Sequence, residues 1–252
     1  MQLTQRVYLV GSGSSGFSLT HDSDCHVYLI DGDSELALID AGAGLGVAET
    51  VANIRAHGFA LEDVRSLFLT HLHADHAGGA AALREALPNL QSPGGKVLAS
   101  KQGAEWLRRG DEKAISLDMG KKGGYYAPEY RFEPCPVDVE LGDGQIVSVG
   151  DLDIKVLDVP GHSKGHIALL MRHAGLIYLF SGDLLFFGGK ILLQSIWDCD
   201  LQEHLRSIQK LAGLGVDVFL PGHGAFSLRN GQRHVDAAIG WIERCLVPPS
   251  FL

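Results

Sequence analysis

A chain of 252 residues that is 46% hydrophobic and 20% charged can bury a large core, as one large mixed α/β unit or as two smaller domains. The formal net charge of −9 leaves no basic surface to neutralise a phosphate backbone, which argues against nucleic acid as the main partner. Cys25, Cys135, Cys199 and Cys245 are far apart and form no Cys-x-x-Cys pair, so neither a structural zinc finger nor a redox dithiol is expected.

Met1–Arg6 carries no basic-then-apolar leader and runs straight into a strand-like segment, Arg6–Val10. Gly11-Ser-Gly13-Ser-Ser-Gly16 then matches G-x-G-x-x-G letter for letter, but that motif needs a helix after it to seat a pyrophosphate. Phe17–Cys25 is short and polar, so a flexible glycine turn is the better reading. Val27–Ile30 and Leu36–Ile39 form a hairpin around Asp31-Gly32-Asp33, and Asp40 ends it, either as a solvated turn residue or, the favoured reading, as an acceptor for a ligand histidine. Val47–His57 has helical spacing of Val47, Val51 and Ile54, with Gly58 as a left-handed stop. The apolar run Val64–Leu69 precedes Thr70-His71-Leu72-His73-Ala74-Asp75-His76. Ala80–Leu87 is then a helix stopped by Pro88, Val97–Ser100 a strand, and Lys101–Arg109 a helix ending at Gly110.

Residues 111–136, with Lys121-Lys122 and Tyr125-Tyr126, are the least regular part and read as a lid or binding loop inserted in the fold. The lysines are expected in a solvated turn and the tyrosines packing the loop down, with substrate contact as the alternative. Strands follow at Val137–Leu141, Gln145–Val149 and Leu152–Val159. Ile167–Phe187 contains Arg172, His173 and Asp183, so it is read as two buried strands rather than a membrane span. Asp200 and Glu203 suggest a capping box for a helix burying Leu201, Leu205, Ile208 and Leu211, and a last helix is expected at Arg233–Leu246. No repeat or composition shift marks a boundary. Residues 1–252 are therefore expected to form one domain in a cytoplasmic protein that acts on a small molecule and uses no membrane. Nothing sets the oligomeric state, and a homodimer is compatible with the sequence.

The histidine stretch packs three imidazoles and a carboxylate into six residues, and these are preferred ligands of zinc and its neighbours. His71 and His73 can share one direction while Asp75 and His76 face a second point. Three further apolar runs end in the same manner: Ile154–Val159 in Pro160-Gly161-His162, Leu176–Ser181 in Gly182-Asp183, and Val216–Leu220 in Pro221-Gly222-His223. Loops held by a rigid sheet usually carry the chemistry, so four such strand ends can gather their ligands at one edge.

On these residues the chain resembles the metallo-β-lactamase-fold hydrolases, over roughly residues 6–246. The resemblance implies an α+β fold, an αββα sandwich of two mixed β-sheets flanked by helices, with metals at one edge. It implies His71, His73 and His162 as ligands of a first metal, Asp75, His76 and His223 of a second, and Asp183 as the carboxylate that bridges them. His166 also recurs in the family pattern and is read as a packing or supporting residue. Two divalent ions, zinc first with iron, manganese or cobalt as alternatives, would share a hydroxide whose water pKa falls from 15.7 towards about 7. That hydroxide would attack the carbonyl of an ester, thioester, lactone or amide, with Asp75 and Asp183 as the catalytic carboxylates.

Departures narrow the family. Dedicated lactamases generally lack the bridging aspartate. Glyoxalase II enzymes carry a C-terminal helical domain, whereas fewer than thirty residues follow His223 here. Quorum-signal lactonases place a tyrosine where this chain has Phe186. An alternative is an oxidoreductase resembling the persulfide dioxygenases, with one iron in the same fold. A phosphodiesterase or nuclease, or a non-catalytic metal-binding module, is less favoured.

Overall fold

The computed structural model describes residues 1–252. Eleven strands and eight helices run in the order β1 (Val7–Gly11), β2 (Val27–Asp31), β3 (Leu36–Ile39), α1 (Val47–Ala56), β4 (Val64–Phe68), α2 (Ala74–Ala77), α3 (Ala80–Ala86), α4 (Pro88–Gln91), β5 (Lys96–Ser100), α5 (Lys101–Arg109), α6 (Leu117–Lys122), β6 (Val139–Leu141), β7 (Ile146–Val149), β8 (Leu152–Asp158), β9 (Ile167–His173), β10 (Leu176–Gly182), α7 (Leu201–Gln209), β11 (Val218–Pro221) and α8 (Gln232–Ile242). One sheet has the order β1-β2-β3-β4-β5-β6 and the other β11-β10-β9-β8-β7. Both mix antiparallel and parallel pairs.

The strands are apolar on both faces because each sheet is covered twice. Along β2, Val27 and Leu29 pack towards the helices α1, α3 and α5, while Tyr28 and Ile30 pack into the space between the sheets. Along β9, Ile167, Leu169 and Met171 face that same central layer, and Ala168 and Leu170 face α7 and α8. Period-two alternation thus sorts one run of apolar residues into two cores. The layers are helix, sheet, sheet, helix: the αββα sandwich expected. No helix is long and apolar enough to cross a membrane.

Local chemistry accounts for some element ends. Ser100 Oγ accepts the Gly103 N–H at 3.1 Å to start α5, and Gly110 at φ 59° ends it. Three expectations are corrected. Pro88 does not only stop α3; it also opens the short helix α4, where its missing N–H costs nothing. The buried face of α7 is His204, Ser207 and Ile208, while Leu201 is exposed and Leu205 half-buried. The polar pair can sit inside because His204 Nε2–H donates to Leu184 O at 2.6 Å and Ser207 Oγ to Pro160 O at 2.7 Å. The last helix ends at Ile242, where the chain turns back through Cys245 at φ 58°.

β3 and β4 run parallel in one sheet, and β8, β10 and β11 point the same way in the other. The C-terminal ends of these five strands deliver Asp40, Thr70–His76, His162, Asp183 and His223 to one edge of the sandwich.

Candidate metal centre

The first cluster is His71, His73 and His162, whose ring nitrogens lie within 4.8 Å of one another. His73 Nδ1 stands 3.0 Å from His162 Nε2. The second is Asp75, His76 and His223, again within 4.8 Å, with His223 Nε2 3.0 Å from Asp75 Oδ2 and 3.2 Å from His76 Nε2. Asp183 lies between them. Its Oδ1 is 3.3 Å from His76 Nε2, and its Oδ2 is 3.6 Å from both His162 Nε2 and His223 Nε2. All seven predicted site residues therefore meet at one place.

Four of the five imidazoles are oriented from behind. Asp40, in the left-handed region at φ 63°, accepts the Thr70 N–H through Oδ1 at 2.8 Å and the Thr70 hydroxyl through Oδ2 at 2.9 Å. It also accepts His76 Nδ1–H at 2.9 Å, the supporting role expected of it. Thr70 Oγ1, having donated to Asp40, accepts His71 Nδ1–H at 3.1 Å. His162 Nδ1–H donates to Leu192 O at 3.2 Å. His73 Nε2–H donates to Asp198 Oδ2 at 3.1 Å. These bonds anchor Nδ1 of His71, His76 and His162 and Nε2 of His73 on the outer side, so that the opposite ring nitrogens point inward.

That arrangement is unstable on its own terms. Two pairs of ring nitrogens face each other at 3.0 and 3.2 Å, and the outward bonds leave no proton for the contact between His73 and His162. His71 Nε2 and Asp183 Oδ1 are buried with no hydrogen-bond partner, a costly state for polar atoms. Nitrogens bound at 2.0–2.1 Å around a tetrahedral ion stand roughly 3.3–3.4 Å apart, close to these separations. The residues present fit two metal ions.

Electrostatics divide the clusters. Burial holds His71 well below the ordinary imidazole range and His162 at about 3, so both are neutral. Burial also opposes charge on His76, but Cys25 and then Asp183, Asp75 and Asp40 surround it and raise it well above its ordinary value. His223 is raised likewise, against burial, by Asp183 and Asp75. Burial pushes Asp75 up, yet His76 and His223 overcome it and bring the carboxyl to about 2. Cys25 lies near Asp40 and His76. Burial pushes its thiol up to about 12, and His76 Nδ1 is already committed to Asp40, so this group forms no further metal site.

Crowding explains the glycine before each late ligand. A Cβ on Gly222 would collide with Asp183 Oδ1, and one on Gly182, at φ 50°, would come within 2.9 Å of Thr70 Oγ1. His166 belongs to neither cluster. Its Nε2 accepts the Asp183 backbone N–H at 3.1 Å, and its ring stacks on His71 with centroids 4.7 Å apart.

A cavity of about 490 Å³ opens onto His73, Asp75, His162, Asp183 and His223. Its other walls come from residues 115–126, from Leu192–Ile196 and from Phe251, which stacks on Phe186 at 4.2 Å. The insertion contains the helix α6, which the sequence reading left irregular. Lys121 pairs with Glu112 at 2.6 Å and Lys122 with Asp118 at 3.3 Å, and neither lines the cavity. Tyr126 lines it and stacks on Tyr130.

Sequence reasoning missed Asp198. It is fully buried and joins three elements, accepting from His73, from Ser163 Oγ at 2.9 Å and from Ser116 Oγ at 2.6 Å. One carboxylate thus orients a ligand and moors the start of α6. Burial opposes its ionisation, but the bonds from His73, Ser116 and Ser163 hold it below the usual carboxylate range. No local pattern around Ile196-Trp197-Asp198 announces this.

An αββα sandwich with this double histidine and carboxylate cluster at its edge defines a class of metal-binding proteins. The sequence profile of the metallo-beta-lactamase superfamily matches residues 22–223, and the chain belongs to that superfamily. It is 28% identical over 239 residues to an atrochrysone carboxyl ACP thioesterase of Aspergillus fumigatus, covering 94% of this chain and 61% of the relative. It is 26% identical over 235 residues to an acyl-coenzyme A thioesterase of Gallus gallus, covering 87% of this chain and 78% of the relative. The chain thus spans about three-fifths of the length of the first of these relatives. Among solved structures, a metallo-beta-lactamase of Cronobacter sakazakii with a HARLDQ motif superposes with a TM-score of 0.73 at 23% identity, covering 97% of this chain and 96% of that one. At that identity the likeness establishes the fold alone.

Proposed function

We propose that the chain is a dinuclear metal-dependent hydrolase of small carbonyl substrates, thioesters first and esters, lactones or amides after them. The observation that carries this reading is Asp183, one buried carboxylate within 3.6 Å of ligand nitrogens from both clusters. Two divalent ions held by these residues, zinc being the natural choice for the imidazole and carboxylate set, would acidify a shared water towards a pKa of about 7 and polarise a carbonyl.

The chain's own residues do the rest. Asp183 holds the clusters together through its two oxygens, and His166 fixes its backbone. Asp75 is the ligand carboxylate with the more exposed side chain, at 26%, and it lines the cavity. It is therefore placed to orient the attacking water and to pass its proton to the departing thiolate or alkoxide. Walls such as Ile115, Leu117, Leu192 and Ile196 are apolar, which suits an acyl group and excludes bulk water. The two thioesterase relatives support placing thioesters first.

The test is to load the purified protein with zinc and present acyl thioesters, p-nitrophenyl esters and lactones, following thiol, phenol or acid release. Hydrolysis of one class, lost on chelation and restored by metal, is expected. A protein that holds one iron and consumes oxygen with a persulfide, hydrolysing none of the panel, would replace this reading with the oxidative one.

A further inference from the structure

We infer that Tyr126 is a catalytic residue whose phenol donates a hydrogen bond to the carbonyl oxygen of the substrate. This deepens the hydrolase reading and rests on it. Tyr126 follows α6, and its ring is wedged between two fixed surfaces. On one side it lies against Gly120, where an added Cβ would approach the ring to 3.1 Å. On the other it stacks on Tyr130, with centroids 4.9 Å apart and planes 33° from parallel. Tyr130 is itself pinned beside the metal-ligand turn, because its hydroxyl donates to Ala43 O at 2.7 Å and lies where a Cβ on Gly78 would fall.

The outcome is a half-buried, immobilised ring on the wall of the cavity that holds Asp75, Asp183 and His223. Buried tyrosines ordinarily find a partner for the hydroxyl. Tyr28 and Tyr130 do so here, each donating to a carbonyl at 2.7 Å. The Tyr126 hydroxyl makes no hydrogen bond to any protein atom. Burial, followed by the field of the Asp75 carboxylate, holds its phenol well above the ordinary value, so the O–H is retained across the neutral range. It is a donor on the cavity wall with no partner in the protein.

Its role follows from the electron movement. As a water-derived oxygen bonds to the carbonyl carbon, the π pair moves onto the carbonyl oxygen. The Tyr126 O–H bond to that oxygen then strengthens without proton transfer. When the bond to the sulfur or oxygen leaving group breaks, the pair returns to re-form the carbonyl. A donor that gains strength only as charge develops lowers the barrier rather than the Michaelis constant.

The test compares zinc-loaded wild type, Tyr126→Phe and Tyr8→Phe, the last removing a phenol on β1 that does not line the cavity. Calorimetry with butylphosphonate, whose tetrahedral oxyanion mimics the charged state, is run beside hydrolysis of an S-butyryl thioester and elemental analysis. Expected for Tyr126→Phe are phosphonate binding weaker by about tenfold or more, and kcat lower by about 10²-fold. KM and zinc content should stay near wild type, and Tyr8→Phe should leave every quantity unchanged. Equal phosphonate affinity in wild type and Tyr126→Phe would overturn the assignment, as would no phosphonate binding to wild type. Loss of zinc or of folding in Tyr126→Phe would make the residue structural and overturn it as well. A phosphonate difference without turnover of any carbonyl substrate would sink the hydrolase reading while leaving Tyr126 as an oxyanion donor.

Discussion

The two ligand clusters use the same side chain to opposite effect. In the first, His71 and His162 are stripped of charge by burial, and the nearest carboxylate, Asp198, sits behind His73 rather than among the ligands. In the second, Asp75 and Asp183 stand among the imidazoles, and His76 and His223 are raised instead of lowered. His71 and His162 are already in the state an ion requires. The second cluster holds protons that an ion must displace, and Asp183 ties the two together.

The change with the largest expected effect removes that tie. Asp183→Ala should abolish turnover, by about 10³-fold or more, and lower metal content at both clusters. A variant that keeps full activity and full metal in an elemental assay would break the bridging assignment. Next come the carboxylates behind the ligands. Asp40→Asn keeps a residue that tolerates the left-handed backbone and should weaken the second ion by about 10–100-fold, while Asp198→Asn should weaken the first by a similar factor. Competition titrations with a chelator would read each step, and an equal loss at both steps in either variant would erase the distinction.

Proton release sharpens the comparison further. Because His76 and His223 are raised, binding at the second cluster should expel protons near neutral pH and weaken as pH falls. Binding at the first, where His71 and His162 are already neutral, should expel fewer. Calorimetry in two buffers of different ionisation enthalpy separates these, and equal release at the two steps would contradict the electrostatic reading.

A smaller effect lies just outside the centre. Burial lowers His26 to about 4, and its Nε2 and Nδ1 are bonded to Gly224 O at 2.8 Å and Ser12 Oγ at 3.1 Å. The unfolded chain takes up this proton first, near pH 6.5, so the contribution is whole above that pH. It is lost as pH falls towards 4, by about 1.4 kcal/mol per pH unit. Denaturation of His26→Gln should show a pH slope shallower by about one proton than wild type.

Much of this was legible in the chain because it is local. His71, His73, Asp75 and His76 lie within one turn of chain, and each later ligand follows an apolar strand and a glycine, so the edge could be assembled without coordinates. Asp40 was legible for the same reason, as a carboxylate at a strand end. Asp198 was not. It reaches His73 across 125 positions from a stretch with no periodicity, and its partners Ser116 and Ser163 are residue types that mean nothing until they are close. The face of α7 was misread because leucine spacing was weighed without the carbonyls of Leu184 and Pro160, which let His204 and Ser207 go inside. Helix α6 escaped notice because its six residues Leu-Asp-Met-Gly-Lys-Lys are too short to show a period.

The dinuclear centre is tested most directly by counting metal. The protein is saturated with zinc, dialysed against metal-free buffer and measured by plasma mass spectrometry against its own concentration. This account predicts about two ions per chain in wild type and fewer than one in Asp183→Ala. One ion per chain at saturation, or a single tightly held iron that zinc does not displace, would contradict it.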